Sequence, residues 1–295
     1  MNIAVIAKPP KHAGDNASYL HQSISRLKNE HIDCEVFETG YHGHALEIVR
    51  DLSPEGYDGI VATGGDGTNY EVLNGLLQFH GSDTLPPLGI IPTGRGNSFA
   101  RDLDIYSPSD GVAAIIGRHT TPVDVCRFTQ NDTVSYFVNL MGFGFVTDVA
   151  RTAARFAWAG DFSYIIGVFH RTAGLAFHQM ELEIDGTPYD GSNCFVEFCN
   201  SRYTGGSMLM APDARIDDGL FDAVILAPLS RRKLLTTFPK IFSGTHVRRP
   251  EVTVVRGKHA VVRTAPVKDL LPDGEFFGTT PVTVDVLPRR VSYFL

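Results

Sequence analysis

The hydrophobic pattern of the chain changes near Pro122, and this change constrains the fold more than any other feature. Before Pro122, short apolar runs alternate with segments whose apolar residues recur at helical spacing. The predicted strands are 2–7, 33–39, 57–62 and 88–91, and the predicted helices are 16–29, 43–52, 68–80, 98–103 and 108–117. Because such alternation is typical of parallel strands joined by helical crossovers, residues 1–122 are expected to form a doubly wound α/β domain.

After Pro122 the pattern favours short strands, many of them separated by turn signals such as Asp185-Gly186. The predicted strands are 123–128, 134–138, 180–184, 194–199, 221–226, 251–256, 260–264 and 281–287. Two helical segments, 151–177 and 230–242, interrupt them. Residues 123–295 are therefore expected to form an all-β second domain, an antiparallel β-sandwich, with the extreme C-terminus packing back on the first domain.

Charge and hydropathy exclude several classes of protein. The 295 residues carry a formal net charge of −7, which argues against a dedicated nucleic-acid binder. Residues 1–122 hold 8 Lys and Arg against 15 Asp and Glu, so the acidic excess lies there and the rest of the chain stays compatible with an anionic membrane surface. No apolar run approaches about 18 residues and no secretory signal is recognisable, so a cytoplasmic location is expected.

The cysteines give no sign of a disulfide framework or a zinc site. Cys34, Cys126, Cys194 and Cys199 form no C-x-x-C pair and are predicted to be buried free thiols. The motifs of zinc proteases, serine hydrolases and Walker-type phosphate loops are also missing.

Two glycine-rich loops carry the strongest functional signal. Residues 63–69 follow the third predicted strand, and their three glycines leave backbone N–H groups uncovered at a helix N-terminus, which favours phosphate binding. Asp66 inside this loop indicates a Mg²⁺-nucleotide, since a cation must separate a carboxylate from a phosphate, unless Asp66 is only an exposed turn residue. Residues 92–98 repeat the arrangement after the fourth strand, where Arg95 either contacts a phosphate or is a solvated surface residue.

Together with later motifs, these loops resemble the diacylglycerol kinase catalytic family, which includes bacterial lipid kinases, sphingosine kinases and ceramide kinases. The resemblance covers nearly the whole chain. The matching motifs, in family order, are Thr39-x-x-x-Gly43-x-Ala45, Gly64-Gly65-Asp66-Gly67-Thr68, Glu71-Val72-Leu73-Asn74-Gly75, Leu88-Gly89-Ile90-Ile91-Pro92, Val123-Asp124-Val125, Asn139-x-x-Gly142-Phe143-Gly144, Ala211-Pro212-Asp213-Ala214-x-x-Asp217-Asp218-Gly219 and Asp273-Gly274-Glu275. The first loop alone is less specific, because NAD kinases and phosphofructokinases carry similar loops, but the ordered set is specific.

The resemblance implies ATP-dependent phosphorylation of a lipid hydroxyl, in a cleft between an NAD kinase-like α/β domain and a β-sandwich. It implies that Glu275 is the general base and that Asp66 organises metal and phosphates. The residues it implies for nucleotide binding are Lys8, Thr39, Gly64, Gly65, Asp66, Gly67, Thr68, Asn69, Tyr70, Gly94, Arg95, Gly96 and Asn97. A structural Mg²⁺ is implied at the Asp218 carboxylate and the carbonyls of Arg215 and Leu220, which are hard oxygen ligands.

Three positions depart from the family pattern. Arg95 stands where the second loop usually has Thr or Ser, Ser98 replaces an Asp of the acidic metal network, and Lys8 replaces an Asn. A catalytically idle lipid or nucleotide sensor is therefore one alternative, and an NAD kinase-like kinase of a soluble substrate is another. Asp273-Gly274 and Asp217-Asp218-Gly219 are also compatible with simple turns.

A lipid substrate requires an apolar entry, and two segments are candidates. The first is an aromatic-rich helical region that either gates an acyl pocket or packs on the sandwich; it comprises Phe156, Trp158, Phe162, Tyr164, Ile165, Ile166, Val168 and Phe169. The second, residues 230–242, carries Arg231, Arg232, Lys233 and Lys240 in a stretch without Asp or Glu, and is either a membrane-surface patch or a solvated helix face. The expected partners are a lipid and a peripheral membrane surface, with a homodimer left open.

Overall fold

A computed structural model of the protein describes residues 1–9, 15–81, 84–156 and 162–295. The chain divides into two compact units, Met1–Val123 with Arg289–Leu295, and Asp124–Pro288. The first unit is of the α/β class, and the second consists mainly of antiparallel strands. The predicted fold class is therefore confirmed.

The first unit contains a parallel sheet in the order β2-β1-β3-β4. Its strands are β1 (Asn2–Ala7), β2 (Asp33–Glu38), β3 (Gly59–Gly64) and β4 (Leu88–Pro92), and its helices are α1 (Asp15–Asn29), α2 (His44–Asp51), α3 (Asp66–Phe79), α4 (Ser98–Asp102) and α5 (Pro108–Gly117). The strands β3 and β4 are buried along their whole length, as expected of strands with helices on both faces, whereas the edge strand β2 is largely exposed.

The C-terminus completes the first unit. Tyr293 pairs in parallel register with Leu88 of β4, and its fully buried ring packs edge-on against Phe99 with 5.1 Å between ring centroids. The Tyr293 hydroxyl donates to Asn69 Oδ1 at 3.1 Å. Residues 289–295 are thus integral to this unit although they are the last in the sequence.

The second unit is an antiparallel sandwich. Its strands are β5 (Thr120–Gln130), β6 (Thr133–Phe137), β7 (Leu140–Gly144), β8 (His178–Ile184), β9 (Thr187–Pro188), β10 (Gly191–Asn193), β11 (Phe195–Cys199), β12 (Tyr203–Thr204), β13 (Met208–Leu209), β14 (Phe221–Leu226), β15 (Val252–Gly257), β16 (His259–Ala265), β17 (Leu270–Pro272) and β18 (Val282–Phe294). The first sheet has the order β15-β14-β11-β7-β17, and the second contains β10, β8, β16 and β18, with β5 paired to β18. Phe143 and Phe198 from the first sheet and Phe128 and Val262 from the second are fully buried in one core, which shows that the two sheets pack face to face.

Helices cover the other face of the β15-β14-β11-β7-β17 sheet. They are α6 (Phe145–Arg155), α7 (Phe162–Ala173) and α8 (Arg231–Thr237), followed by the 3₁₀ turns Phe238–Ser243 and Thr245–Arg248. The single helical segment predicted at 151–177 is wrong in its start, because β7 ends at Gly144 with φ +89° and α6 begins immediately after it. Trp158 lies outside the described residues, as does the side chain of Phe162.

All four cysteines are free, and Cys126, Cys194 and Cys199 are buried while Cys34 is half-buried. Within the described parts of the chain, no helix is both long enough and apolar enough to span a bilayer.

Candidate active site

The carboxyl ends of the parallel strands gather several residues that were predicted to contact a nucleotide. Lys8, Thr39 and Gly64 lie at the ends of β1, β2 and β3, and the second loop follows β4. The Lys8 N–H donates to Thr63 O at 3.0 Å, and the Thr39 N–H donates to Ala7 O at 2.9 Å, so these loops leave the sheet side by side. This edge is where open α/β sheets bind ligands.

The two glycine-rich loops lie against each other. The N–H groups of Thr93 and Gly94 donate to Gly64 O at 2.8 and 3.0 Å. A Cβ added at Gly94 would lie 2.4 Å from Gly65 Cα, so only glycine allows this approach. Asn97, at φ +50°, closes the second loop by donating from Nδ2 to Gly94 O at 2.8 Å. The loops therefore form one continuous backbone surface.

A cavity of about 510 Å³ opens beside the second loop. Thr93, Gly94 and Asn97 line it together with side chains of α1 and the beginning of α5. Arg95 is exposed in the same loop, and Gly96 is half-buried. The second loop thus has open space around it.

Asp66 belongs to a helix rather than to an open loop. The helix α3 begins at Asp66 with Gly65 as its N-cap, two residues before the predicted start. The Asp66 carboxylate accepts the N–H groups of Ser98 at 3.0 Å and Phe99 at 3.2 Å, at the first turn of α4. Burial raises the pKa of Asp66, and the hydrogen bonds from Ser98, Phe99 and Asn97 act in the opposite direction. Asp66 therefore ties the first loop to the second, which an exposed turn residue would not do.

The other residues of the first loop divide into two sets. Gly65 and Gly67 are half-buried at the N-terminus of α3, whereas Thr68, Asn69 and Tyr70 are buried. A Cβ added at Gly64 would lie 2.2 Å from Thr68 Oγ1, so the threonine packs directly against the end of β3. The structure brings the glycines and Asp66 together at the loop and places Asn69 and Tyr70 in the interior.

Glu71 has a role that the sequence reasoning missed. Its two carboxylate oxygens accept the N–H groups of Gly43 at 2.9 Å and Ala45 at 3.1 Å, at the start of α2. A carboxylate is the favoured partner for the free N–H groups of a helix N-terminus. The glutamate thereby fixes the segment that follows Thr39 against α3. The motif at 39–45 and the motif at 71–75 are therefore parts of one arrangement.

In the second unit, Asp273 anchors the Asp273-Gly274-Glu275 turn. One carboxylate oxygen of Asp273 accepts the N–H groups of Asn139 at 2.9 Å and Leu140 at 3.1 Å, and the other accepts that of Val138 at 3.2 Å. Asp273 is 6% exposed and has φ +47°. Glu275 is half-buried, and its N–H donates to Pro272 O at 2.8 Å. Asp273 is thus a buried support for the turn that carries Glu275.

Other motif residues of the second unit form hydrogen bonds near Asn139, whose N–H group Asp273 accepts. The Asn200 side chain donates to the carbonyl of Asp124 at 2.9 Å, and the Ser201 hydroxyl donates to Asn139 Oδ1. The Asp124 carboxylate accepts the N–H of Gly219 at 2.5 Å. Since Asp124, Asn139, Asn200 and Ser201 are buried, these polar residues hold separate chain segments together.

Asp218 and Leu220, two of the residues predicted to hold a metal ion, are joined by a hydrogen bond in one turn. Asp218 Oδ1 accepts the N–H of Leu220 at 3.1 Å, and Asp218 Oδ2 contacts the Arg256 guanidinium. Burial raises the pKa of the neighbouring Asp222 to about 6; Arg256 lowers it, and the charges of Asp218 and Asp213 raise it further. The hard oxygens and the excess of carboxylates fit a cation. Among the described residues no three His, Cys, Asp or Glu side chains converge on one metal position, so main-chain carbonyls would have to complete the set.

An apolar cavity of about 90 Å³ lies between the β15-β14-β11-β7-β17 sheet and its covering helices. Residues lining it include Phe145, Val149, Tyr164, Val168, Phe195, Glu197, Met208, Met210, Leu234, Thr237, Phe238 and Ile241. Tyr164 and Val168 belong to the aromatic-rich region noted in the sequence, whereas Phe169 of the same helix is 59% exposed. That region therefore packs on the sheet and lines a cavity at the same time.

Comparison with known proteins gives matches over both units. Residues 2–128 match the diacylglycerol kinase catalytic domain, and residues 139–295 match the YegS C-terminal NAD kinase beta sandwich-like domain. A diacylglycerol kinase of Mycobacterium tuberculosis is 30% identical and is covered over 94% of its length, with 98% of this chain aligned. One from Staphylococcus haemolyticus is also 30% identical, with 91% of this chain and 80% of the relative aligned.

Solved structures give the same fold. A diacylglycerol kinase from Bacillus anthracis superposes with a TM-score of 0.74 at 20% identity, over 99% of this chain and 96% of that one. An NAD kinase from Archaeoglobus fulgidus in complex with ATP superposes with a TM-score of 0.54 at 15% identity, over 100% and 94% of the two chains.

Proposed function

The chain belongs to the diacylglycerol kinase catalytic family and is a lipid kinase, and we propose that it transfers the terminal phosphoryl group of ATP to a lipid hydroxyl. The observation that carries the proposal is the double glycine loop at the carboxyl edge of the α/β sheet. Diacylglycerol is the first substrate expected, and a sphingoid base or another long-chain alcohol is the second.

In this proposal the first loop holds the phosphates. The helix α3 spans 14 residues, and its first N–H groups, which have no partner within the helix, lie at Gly65, Asp66 and Gly67. A helix N-terminus is a favourable place for an anion. Lys8, Thr39, Gly94, Arg95, Gly96 and Asn97 lie on the neighbouring loops and would hold the rest of the nucleotide. Thr68, Asn69 and Tyr70 would act from the interior, by fixing the loop.

Asp66 is proposed to orient the nucleotide and its metal ion. Backbone N–H groups of the second loop and of the start of α4, with the Ser98 hydroxyl, hold its carboxylate in place, so its orientation is set before any ligand arrives. Ser98 donates a hydrogen bond here, where an aspartate would add a second negative charge. We therefore expect Asp66 to be the main carboxylate facing the nucleotide, with Mg²⁺ supplying charge neutralisation when bound.

Glu275 is proposed as the general base. The lipid oxygen attacks the terminal phosphorus of ATP, the bond to the ADP oxygen breaks, and the hydroxyl proton passes to the Glu275 carboxylate. A single carboxylate suffices for this step, because phosphoryl transfer depends mainly on positioning and charge neutralisation. The proposal is supported by the buried Asp273, which anchors the turn that carries Glu275.

A structural Mg²⁺ is proposed at Asp218 with the carbonyls of Arg215 and Leu220. Magnesium is expected to raise the Tm of the wild-type protein by a few degrees, since a ligand that binds only the folded state stabilises it. Asp218→Asn is expected to remove this shift. Asp217→Asn, which changes a more exposed carboxylate in the same segment, is the matched control and is expected to retain it. An equal magnesium shift in the Asp218→Asn variant would rule out the site.

The apolar cavity is proposed to receive part of a lipid chain. Most of its side chains are hydrocarbon or aromatic, which is typical of a site for an apolar ligand. A volume of about 90 Å³ accommodates only a few methylene groups. We therefore expect α7 and the turn Phe238–Ser243 to move apart when a full chain enters.

A membrane-facing patch is proposed beside this cavity. Arg231, Arg232 and Lys240 are exposed, and Phe242 is 46% exposed while its ring packs against Phe238, which lines the cavity. Lys233 lies 2.6 Å from Glu251, so its charge is already paired within the protein. Exposed basic groups next to an exposed aromatic ring are suited to an anionic lipid surface.

Reversing the charges of Arg231, Arg232 and Lys240 to Glu is expected to reduce sedimentation with anionic vesicles, since each basic group near such a surface contributes about 1 kcal/mol. The control variant reverses three exposed basic residues elsewhere, Arg50, Lys258 and Arg263, and so has the same net charge as the patch variant. Its sedimentation with anionic vesicles is expected to stay closer to that of the wild type. Equal losses in the two variants would show that overall charge, rather than this patch, governs binding.

The substrate is identified by incubating the protein with γ-phosphate-labelled ATP and a panel that includes extracted lipids and NAD. Label is expected in one lipid class. Label in NAD alone would favour the soluble-substrate kinase, and ATP binding without transfer to any lipid would favour the idle sensor, to which Arg95 and Ser98 draw attention.

A further inference from the structure

We propose that Glu197 makes this protein select a lipid whose buried chain carries a hydroxyl group, an inference that rests on the proposed use of the apolar cavity as the lipid site. A further hydroxyl, separate from the one that is phosphorylated, would pair with the glutamate inside the cavity.

Glu197 lies in the middle of β11, within a sheet whose other cavity-facing side chains are apolar. It shares a face of the strand with Phe195 and Cys199, which belong to the apolar cluster beneath the helices. The residue is 5% exposed, and its side chain lines the cavity. Gly142 is its neighbour on β7, and a Cβ added there would lie 2.8 Å from Glu197 Cγ. The glycine therefore leaves the room that the glutamate occupies.

The carboxyl group of Glu197 is not fully satisfied. Its Oε2 atom is buried and has no hydrogen-bond partner among the residues that the structure describes. The Oγ1 atom of Thr237, which lines the same cavity, is in the same situation. Buried polar atoms without partners are uncommon in folded proteins, because each costs free energy on folding. Three such atoms belong to residues that line one apolar cavity, namely Glu197 Oε2, Thr237 Oγ1 and His246 Nδ1, and they indicate a ligand that brings polar partners with it.

The protonation state of Glu197 indicates which partner fits. Burial raises the pKa of Glu197 to about 8, so at neutral pH the group is mainly an uncharged carboxyl that can both donate and accept a hydrogen bond. A hydroxyl group has the same two capacities, as does the Thr237 side chain. A plain hydrocarbon chain would leave both residues unpaired, and a cationic group would have to lose its hydration in an apolar space.

The first test compares substrates that differ only in this group. One diacylglycerol carries no hydroxyl on its chains. The others have the same chain length, and each carries a single chain hydroxyl at a different position. For at least one position, wild-type kcat/KM is expected to be about tenfold higher than for the plain lipid, mainly through a lower KM. Glu197→Leu is expected to reduce this ratio to about one, and Glu197→Gln, which still donates and accepts, is expected to retain most of it.

Folding of the variants is checked by Tm, and Glu197→Leu is expected to be at least as stable as wild type because it removes an unpaired buried carboxyl. If the leucine variant folds poorly, Thr237→Val is used instead, because it removes a polar atom of the cavity lining with little change in shape. This variant is expected to lower, in part, the ratio of kcat/KM for the hydroxylated lipid to kcat/KM for the plain lipid. The proposal is overturned if wild-type kcat/KM is the same for the plain lipid and for the lipids with a hydroxyl at every position. It is also overturned if the preference for the hydroxylated lipid is unchanged in both Glu197→Leu and Thr237→Val.

A binding assay separates this proposal from the proposed kinase function. Methyl esters of the same plain and hydroxylated chains, which lack the glycerol hydroxyl, compete with a fluorescent fatty ester for the protein in detergent micelles. Preferential binding of a hydroxylated ester, abolished by Glu197→Leu, supports the assignment even if no lipid is phosphorylated. Phosphorylation of plain and hydroxylated lipids alike, with no preference in binding, upholds the kinase function and refutes the role of Glu197.

Discussion

Replacing Glu275 by Gln is expected to lower kcat for lipid phosphorylation by about 100- to 10,000-fold, which is the usual contribution of a general base. The amide has nearly the shape of the carboxylate but accepts no proton at neutral pH. The KM for ATP is expected to change little, because the glycine loops that would bind the phosphates are intact. The Tm is also expected to stay near the wild-type value, since Asp273 rather than Glu275 anchors the turn.

The comparison is made by steady-state kinetics with saturating ATP, and Glu183→Gln serves as the matched control. Glu183 is an exposed residue of β8, so its amide variant is expected to retain wild-type turnover. A Glu275→Gln variant that keeps wild-type kcat would remove Glu275 from the role of base.

Replacing Asp273 by Ala is expected to produce the largest loss of stability, about 3 kcal/mol or more in the free energy of unfolding. Three backbone N–H groups, those of Val138, Asn139 and Leu140, would lose their common acceptor in a buried place. The turn that carries Glu275 would lose its support as well, so kcat is expected to fall even at temperatures where the variant is folded.

Urea denaturation followed by circular dichroism measures the first effect. Asp273→Asn keeps one acceptor oxygen and is expected to lose less stability than Asp273→Ala, while Asp132→Ala, at an exposed turn, is expected to stay within about 0.5 kcal/mol of wild type. If Asp273→Ala were as stable as Asp132→Ala, the buried anchor described for this turn would be refuted.

The elements that could be predicted from the sequence are those with a strong local period. The five helices of the first unit and strands such as β14 follow from apolar spacing alone. The strand β7 was not predicted, because Leu140–Gly144 is buried on both faces and contains two glycines, so it shows neither alternation nor β-branched residues. The start of α3 was placed too late, because glycines on both sides of Asp66 are typical of a loop.

The sequence indicates the individual residues of the candidate site, but it does not indicate the hydrogen bonds that join their segments. Motif order led to the loops and to Glu275, whereas the roles of Glu71 and Asp273 depend on N–H groups of distant segments that only the fold brings near. Asp273-Gly274 is compatible with an ordinary turn in sequence, and its carboxylate is revealed as an anchor only by its three donors. Glu197 belongs to no motif and was not predicted as a site residue. A single carboxylate in an apolar strand indicates a binding role only when the cavity that it lines is known.

Phosphoryl transfer to a lipid is tested most directly by measuring the transfer of label from γ-phosphate-labelled ATP to purified diacylglycerol in mixed micelles, by the wild-type protein and by Glu275→Gln side by side. A magnesium-dependent labelled product that comigrates with phosphatidic acid is expected with the wild type, and it is expected to be nearly absent with Glu275→Gln. The absence of any labelled lipid with the wild type, for diacylglycerol and for long-chain alcohols alike, would contradict the proposed phosphoryl transfer.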